Sequence, residues 1–483
     1  HWTWEYTDPV TGDLLGKKNV INNYCIAVAS NEPRCTSCDI GYGWVDNTFD
    51  FTVQENVDCL VCHDTTGTYK KFPTDAGHPA YVQKEFPAGV IWEPVDLANV
   101  AKNVGLTSRA TCGSCHFFGG GDDAVKHGDL DTSLLNPTRE LDVHMDAEGL
   151  NYNCTECHKS DGHEVPGTRY AMTLADRDSC DSCHTTTPHS NEMIDRHTAR
   201  IACQTCHIPT YARGGQATKM YWDWSKAGEK NPDGSLKIVT NEDGDVTYDT
   251  RKGEMVWEAN VAPEYIWFNG TVEYVALDDK IDPSQTVTLN RHLGERSEPE
   301  ARIFPVKVFT AMQPYDSGNN TLVVPHLYGS DDAAYWKTYD WNAAIAYGME
   351  YAGAEYSGEY GFVETEMYWI ESHMVAPAEN SLVCQDCHTT EGGRLDFAAL
   401  GYDETEVTRL TNFPPSLESI GGVPAQTPES CSACHQEAYD NWLESNHGAK
   451  FVGCVACHEP VVEGGVHPAV SMIVDRSEFT CGV

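Results

Sequence analysis

Residues 208–383, in the middle of the chain, show the clearest pattern of hydrophobic and polar positions. The β-prone runs Lys237-Ile-Val-Thr and Asp245-Val-Thr-Tyr lie beside the turn signals Asn231-Pro-Asp-Gly and Asn241-Glu-Asp-Gly. Trp, Tyr and Phe are also dense from Tyr221 to Tyr274. The pattern predicts a hairpin-rich segment in this part of the chain.

Two helices are predicted towards the end of this middle segment, at Asp340–Tyr351 and Val363–His373. The second has Glu364 and Glu366 in its first turn, where negative charge stabilises a helix N-terminus. The Pro- and Gly-rich run Phe413–Pro428 predicts a linker. No apolar run is long enough to predict a membrane-spanning helix, and we recognise no signal peptide.

Cysteine spacing changes the picture of the remaining chain. Nine Cys-x-x-Cys pairs are present, and eight of them are followed directly by His. Cys-x-x-Cys-His is the attachment signature of c-type haem, in which two thioethers hold the porphyrin and the His binds iron. A zinc ribbon is the alternative, but a His next to the second Cys does not suit tetrahedral zinc. The eight complete motifs supply these haem-binding cysteines and iron-binding histidines: Cys59, Cys62 and His63; Cys112, Cys115 and His116; Cys154, Cys157 and His158; Cys180, Cys183 and His184; Cys203, Cys206 and His207; Cys384, Cys387 and His388; Cys431, Cys434 and His435; Cys454, Cys457 and His458.

Nine haems on 483 residues leave about 54 residues for each. We therefore expect a multihaem cytochrome c fold of mainly short α-helices and irregular loops wrapped around stacked haems, with a small hairpin-rich insertion. The predicted organisation is a core with six pairs at 1–207, a haem-free insertion with C-terminal helices packing on it at 208–383, a further haem segment at 384–412, a linker at 413–428 and a dihaem module at 429–483.

The net charge of −41 makes nucleic acid and anionic lipid surfaces unlikely partners. The charge either keeps the protein soluble or attracts a basic redox partner. Covalent haem attachment takes place outside the cytoplasm, so we expect a periplasmic or extracellular protein.

Second axial ligands are expected to come from the twelve histidines outside the motifs, because a low-spin haem needs ligands on both faces. These twelve histidines outnumber the eight complete motifs, so most of these motifs can hold bis-histidine haems that relay electrons. His292 and His467 are the weakest candidates. The preferred candidates are His1, His78, His127, His144, His163, His189, His197, His373 and His447.

The ninth pair, Cys35-Thr-Ser-Cys38, is followed by Asp39, a poor axial ligand. The site either binds no haem or binds one whose iron takes a lysine from elsewhere, with the other face open to substrate. Burial and metal binding both lower a lysine pKa in the direction that ligation needs. Lys126, in a loop that starts with three glycines at Gly119, competes with Lys70 and Lys71 for this role. Asp39 would then act as a hydrogen-bonding partner in the pocket.

Several segments resemble the octahaem tetrathionate reductase family from His1 to about Leu395. They are Arg34-Cys-Thr-Ser-Cys-Asp-Ile-Gly-Tyr-Gly-Trp44, Asp58-Cys-Leu-Val-Cys-His-Asp-Thr-Thr-Gly-Thr-Tyr-Lys-Lys71, Val125-Lys-His-Gly-Asp-Leu-Asp131, Ile201-Ala-Cys-Gln-Thr-Cys-His-Ile-Pro209, Thr218-Lys-Met-Tyr-Trp-Asp-Trp224 and Gly358-Glu-Tyr-Gly-Phe-Val-Glu-Thr-Glu-Met-Tyr368. The resemblance implies a reactive haem at Cys35 and Cys38 with Lys126 as its ligand and Cys25 near the pocket. The family has one more motif before the segment matching His1, and it ends soon after the Cys384 motif, so the last two motifs here are additions.

Two functions follow as hypotheses. One is a reductase that passes electrons along bis-histidine haems to the Cys35/Cys38 haem, where tetrathionate, nitrite or hydroxylamine is reduced. The alternative is an extracellular conduit or nanowire subunit, in which His1 binds a haem of a neighbouring copy. Expected partners are redox proteins or further copies of the chain, together with a small inorganic oxidant or an extracellular acceptor.

Overall fold

A computed structural model describes residues 5–8, 11–16, 19, 36–37, 39–46, 48–86, 89–163, 179–189 and 192–411, and the backbone of 458–461 and 471–474. The chain divides into two compact units. One comprises His1–Cys183 and Ile201–Ser381, and the other comprises His184–Arg200 and Leu382–Val483. The predicted linker at 413–428 lies outside the described residues, and so does most of the predicted dihaem module at 429–483.

Strands are more numerous in the described residues than the sequence predicted. They are β1 (Tyr6–Thr7), β2 (Leu14–Leu15), β3 (Lys84–Phe86), β4 (Val90–Trp92), β5 (Thr218–Asp223), β6 (Ile238–Thr240), β7 (Val246–Asp249), β8 (Gly253–Glu258), β9 (Glu264–Phe268), β10 (Val272–Tyr274), β11 (Val287–Thr288), β12 (Asn290–His292), β13 (Arg302–Asp316), β14 (Thr321–Leu322), β15 (Tyr360–Ile370), β16 (His458–Val461) and β17 (Ser471–Val474).

A nine-stranded mixed sheet organises the first unit. Its main path is β11-β15-β13-β5-β8-β7-β6, and β9 and β14 also pair with β13. The long central strand β13 runs antiparallel to β15 from Val306 opposite Ile370 to Asp316 opposite Tyr360. The predicted hairpin is present as β6 and β7, which pair antiparallel. The expected helix-dominated architecture is not confirmed, because a large sheet accompanies the short helices.

Helices in the described residues are short, and half of the ten α-helices carry cysteines of a motif. They are α1 (Cys59–His63), α2 (Leu97–Lys102), α3 (Arg109–His116), α4 (Asp181–His184), α5 (Glu192–His197), α6 (Cys203–His207), α7 (Tyr335–Thr338), α8 (Trp341–Ala352), α9 (Cys384–Cys387) and α10 (Glu404–Thr411), with 3-10 turns at Gln54–Asn56, Thr132–Leu135, Cys154–Glu156, Trp224–Lys226 and Ala378–Asn380.

The helix predicted at Asp340–Tyr351 is confirmed as α8. Asp340 is its N-cap, and its carboxylate accepts a hydrogen bond from the Ala343 amide at 3.1 Å. The helix ends at Gly353, which adopts the left-handed conformation with a φ of 73°. Its apolar side packs in one core cluster with Trp222, Phe309 and other sheet residues.

The helix predicted at Val363–His373 is wrong, because residues up to Ile370 belong to strand β15. Val363, Thr365 and Met367 are buried and alternate with more exposed neighbours, which is the period of a half-buried strand. Glu364 is therefore on the exposed side of the sheet and does not stabilise a helix N-terminus. Within the described residues, no helix combines the length and apolar character that a bilayer span requires.

Candidate functional site

The described cysteine motifs lie on short helical segments, and this geometry brings the two sulfur atoms and the imidazole of a motif together. In α1, for example, Cys59, Cys62 and His63 occupy the first, fourth and fifth positions. Side chains three and four residues apart lie on one face of a helix. Both sulfur atoms and the imidazole can therefore reach one porphyrin. None of the twelve cysteines of the six described complete motifs is in a disulfide.

Three motif histidines each face a second imidazole ring. The ring centroids are 6.2 Å apart for His63 and His163 and 6.3 Å apart for His158 and His373. An imidazole nitrogen binds a transition metal at about 2 Å, so two rings on one iron have centroids about 6 Å apart. The residues present therefore fit an iron between the rings.

The second unit contains the third pair. The rings of His197 and His388 are 6.2 Å apart, and the Nδ1 atom of His388 lies 2.8 Å from the Leu410 carbonyl oxygen. In the first unit, Nδ1 of His63 lies 2.8 Å from the Gly105 carbonyl oxygen. A carbonyl at Nδ1 fixes the tautomer that leaves Nε2 free to bind metal.

Contacts between thiols of different motifs place neighbouring haem sites side by side. The thiols of Cys112 and Cys154 hydrogen-bond to each other. A second thiol hydrogen bond, from Cys180, lowers the pKa of Cys203 to about 6. If these sulfurs carry porphyrins, each contact would bring two porphyrin edges together.

The segment around Asp39 lies next to the site of the Cys112–His116 motif. Burial raises the pKa of the Cys115 thiol above its ordinary value, and Lys71 and Asp39 are close enough to act on the same pKa. The buried side chains of Thr36 and Ser37 are anchored to the carbonyl oxygens of Trp44 at 2.7 Å and Phe72 at 3.3 Å. A haem on the ninth pair would therefore be adjacent to the Cys112/Cys115 haem.

Lys126 lies on a loop whose backbone is held from both sides. The Lys126 amide donates to the Gly119 carbonyl oxygen at 3.2 Å. The buried Thr218 hydroxyl donates to the Ala124 carbonyl oxygen at 2.6 Å, and the buried Lys307 ammonium donates to the Val125 carbonyl oxygen at 3.0 Å. These bonds fix the main chain immediately before Lys126.

The Lys126 side chain is 5% exposed, and its Nζ lies 4.0 Å from the centroid of the Trp369 ring. Burial lowers the pKa of Lys126 well below its usual value. The His116 imidazole shares this interior. Burial lowers the pKa of His116 to about 4. The arrangement favours a neutral amine at Lys126, the form that binds metal.

The competing lysines are held by other groups. Lys70 lies over the Trp92 ring, with Nζ 4.4 Å from its centroid. The Lys71 ammonium donates to the carbonyl oxygens of Asp39 at 2.5 Å and Gly41 at 2.7 Å. It is also 3.6 Å from the Asp58 carboxylate. Lys71 would have to give up these three oxygen neighbours before its Nζ could bind iron.

Asp39 has the titration behaviour of a proton donor. Burial raises the pKa of Asp39 to about 8, although the nearby Lys71 ammonium acts in the opposite direction. The carboxyl group is therefore protonated at neutral pH. A carboxylic acid beside a reactive centre can supply a proton during reduction.

The remaining candidate ligands in the described residues have these surroundings. The His127 ring is 5.2 Å from Trp369, the Nδ1 atom of His144 is 3.9 Å from the Asp142 carboxylate, that of His189 is 2.8 Å from the Asp195 carboxylate, and that of His78 is 3.0 Å from the Tyr81 hydroxyl. Outside the described residues lie Cys25, Cys35, Cys38, Cys431, Cys434, Cys454, Cys457, His1, His435, His447 and the side chain of His458.

His292 has the geometry of a ligand that the sequence reasoning ranked among the weakest. Its Nδ1 lies 3.1 Å from the Asn290 carbonyl oxygen, while its buried Nε2 has no hydrogen-bond partner. Burial lowers the pKa of His292 to about 4. No local sequence signal marks it, since its position on β12 becomes informative only once the sheet has formed.

Two buried carboxylates lie behind the His158–His373 pair. The Asp129 carboxylate accepts hydrogen bonds from the Ser372 and His373 amides at 2.5 and 2.7 Å. Burial raises the pKa of Glu371 well above its usual value, and the Asp129 charge adds to this effect. Glu371 is therefore neutral beside an ionised Asp129.

Comparisons with known proteins agree with this picture. Residues 219–391 match the family described as "Cytochrome c bacterial". A crystal structure of octaheme cytochrome c from Shewanella oneidensis matches with a TM-score of 0.74 and 45% identity, covering 84% of this chain and 89% of that one. An uncharacterized protein of Archaeoglobus fulgidus is 26% identical over 205 residues. The match covers 31% of this chain and 62% of that protein's length.

Proposed function

The chain belongs to the multihaem c-type cytochromes that include octahaem cytochrome c of Shewanella oneidensis, and we propose that its bis-histidine haems deliver electrons to one lysine-ligated haem that reduces small oxidants. The expected c-type haems and electron transfer are thereby confirmed. The proposal adds a ninth haem at Cys35 and Cys38 and the substrates tetrathionate, nitrite and hydroxylamine. It also adds export to the periplasm or the cell exterior, where c-type haem is attached.

The observation that carries the proposal is the state of Lys126. Its amine is enclosed beside Trp369, and burial keeps its pKa low. The Nζ of Lys71, the nearest rival, is already held by the carbonyl oxygens of Asp39 and Gly41 and lies 3.6 Å from the Asp58 carboxylate. A neutral amine is the form that ligates iron, so Lys126 is the better candidate.

A ligated lysine leaves the opposite face of the same iron available to substrate. When bound, such a haem supplies electrons and a Lewis-acid centre. The chain itself supplies the Lys126 amine on one face, the hydrogen bonds that hold the loop carrying this amine, and the protonated carboxyl group of Asp39. Tetrathionate takes up electrons alone, whereas nitrite and hydroxylamine take up protons as well. Asp39 would therefore matter most for the nitrogen substrates.

Replacing Lys126 by leucine tests the proposal. We expect the loss of one high-spin haem signal and of reduction of all three oxidants by a reduced dye. Lys219→Leu is the matched control, because Lys219 is 1% exposed and its Nζ lies 3.5 Å from the centroid of the Trp222 ring, a similar environment outside the site. That variant should keep both signal and activity.

The outcome also separates the rival lysines. If Lys71→Leu removes the high-spin signal while Lys126→Leu keeps it, the ligand is Lys71. A native protein in which every haem is low-spin, or a Lys126→Leu variant with full activity, would contradict the reductase.

Conduction as the main role is the second candidate function. Facing imidazoles such as His63 and His163 saturate an iron, and touching thiols such as Cys112 and Cys154 bring haem edges together. Both features favour electron relay over chemistry. Filaments with continuous haem stacking in electron micrographs, together with no turnover of the three oxidants, would favour this function.

A further inference from the structure

We propose that the Asp129 carboxylate lowers the reduction potential of the haem held by the Cys154–His158 motif, which makes that haem a low-potential station in the relay. The inference concerns the second ligand, His373. It depends on haem binding at this motif, and it does not depend on the proposed reductase activity.

Asp129 contacts the ligand directly. One carboxylate oxygen, Oδ2, lies 3.2 Å from Nδ1 of His373 and also accepts the His373 amide at 2.7 Å. The His373 ring faces His158 at 6.3 Å between centroids. With Nδ1 directed at Asp129, the other ring nitrogen is available to the iron between the two rings.

The charge of Asp129 is almost fully enclosed. The residue is 1% exposed, and its Oδ2 accepts the backbone amides of Ser372 and His373 at 2.5 and 2.7 Å, which stabilises the charged carboxylate. A negative charge acts more strongly in a buried, low-dielectric site than in water. A carboxylate that accepts the Nδ1 proton makes the imidazole a more basic ligand, which stabilises ferric over ferrous iron.

The ligands of two other facing pairs have a neutral partner instead. Nδ1 of His63 faces the carbonyl oxygen of Gly105, and in the second unit Nδ1 of His388 faces that of Leu410. The Asp129 contact therefore distinguishes this haem site from those of His63 and His388. The Cys112–Cys154 contact places the Cys112/Cys115 haem site next to this haem, and that site in turn lies beside Asp39. A haem of low potential at the Cys154–His158 motif would therefore pass electrons readily in the direction of the ninth pair.

Asp129→Asn in the full haem-loaded protein tests the inference. The amide keeps the shape and an oxygen that accepts the two backbone bonds, but it removes the charge. We expect the ratio of reduced to oxidised haem at this site to rise about tenfold at a fixed potential, which is an upward shift of about 59 mV in midpoint potential. The double variant Asp129→Asn, Glu371→Gln prevents the charge from moving to Glu371 and should show the same shift.

Asp142→Asn is the matched control. Asp142 is also buried and accepts the amides of His144 and Met145 at 2.9 Å, but its carboxylate is 3.9 Å from Nδ1 of His144, beyond hydrogen-bond range. Because the Asp142 carboxylate makes no hydrogen bond to a ligand imidazole, this variant should shift midpoint potentials much less than the Asp129 variants do. An unchanged titration for both Asp129 variants, or an equal shift in Asp142→Asn, would overturn the inference.

A second measurement covers the case in which Asp129→Asn does not load its haems. Asp129→Ser, a smaller neutral variant, should raise the midpoint potential of the haem whose low-spin ferric signal disappears in His373→Met. Asp129→Glu, which keeps the charge, should raise it much less. Equal potentials in these two variants would rule out the carboxylate effect.

Discussion

Replacing Asp39 by asparagine should remove a pH dependence from the stability of the protein. In the folded chain the pKa of Asp39 is raised to about 8 by burial, against about 3.9 in an unfolded chain. The folded state therefore binds the proton more tightly. The stabilisation is fully present below about pH 4 and is lost as the pH rises through about 8.

The size of the effect follows from the same shift. A difference of about 4 pK units corresponds to a loss on the order of 5 kcal/mol between about pH 4 and about pH 8. Asparagine has no proton to lose, so Asp39→Asn should lack this slope. The nearby Asp50→Asn is the control, because Asp50 is exposed and hydrogen bonds from Thr52 lower its pKa.

Thermal unfolding followed by Soret circular dichroism at about pH 5, 7 and 9 measures the slope. The wild-type protein and Asp50→Asn should both lose stability as the pH rises, whereas Asp39→Asn should lose much less. Hydroxylamine reduction by the wild-type protein should fall through about pH 8, since the protonated carboxyl disappears. Parallel stability curves for wild type and Asp39→Asn would refute the argument.

Three further substitutions test the framework around the site. Thr218→Val should cost about 1–3 kcal/mol in thermal unfolding, because it leaves the buried Lys307 ammonium without one hydrogen-bond partner. Gly348→Ala should cost about 1–3 kcal/mol in urea unfolding, since an added Cβ would lie 1.8 Å from the Val324 carbonyl oxygen. Asp340→Ala should cost about 0.5–2 kcal/mol by removing the N-cap of α8, and Asp340→Asn, which can still cap, should recover most of it. Unchanged midpoints would contradict each expectation.

Haem attachment could be predicted from the sequence because its requirement is local. Two sulfurs and one imidazole at fixed spacing on a helical turn, as in Cys203–His207, need no information about the rest of the fold. The helix α8 was equally accessible, because its cap and its stop are both local signals. The rival lysines could not be ranked in this way, since their protonation depends on burial, which no local pattern reveals.

Two features could not be predicted without tertiary structure: which second histidine faces each motif histidine, and the large sheet. His373 follows the end of strand β15, and the position of that strand in the sheet brings the His373 ring close to His158. The sequence pattern of the same segment predicts a helix instead. Acidic residues at Glu364 and Glu366 suggested a helix start, while the alternation of buried residues along the same run favoured a strand. Burial on one face of the sheet decided between them.

The thiol contacts described above constrain the order of events during biosynthesis. The Cys112 and Cys154 sulfurs come together only in the folded chain, and the same holds for Cys180 and Cys203. In an oxidising compartment, such thiols would cross-link to each other and close both porphyrin sites. Thioethers formed before the chain folds would remove these thiols and so prevent the wrong disulfides.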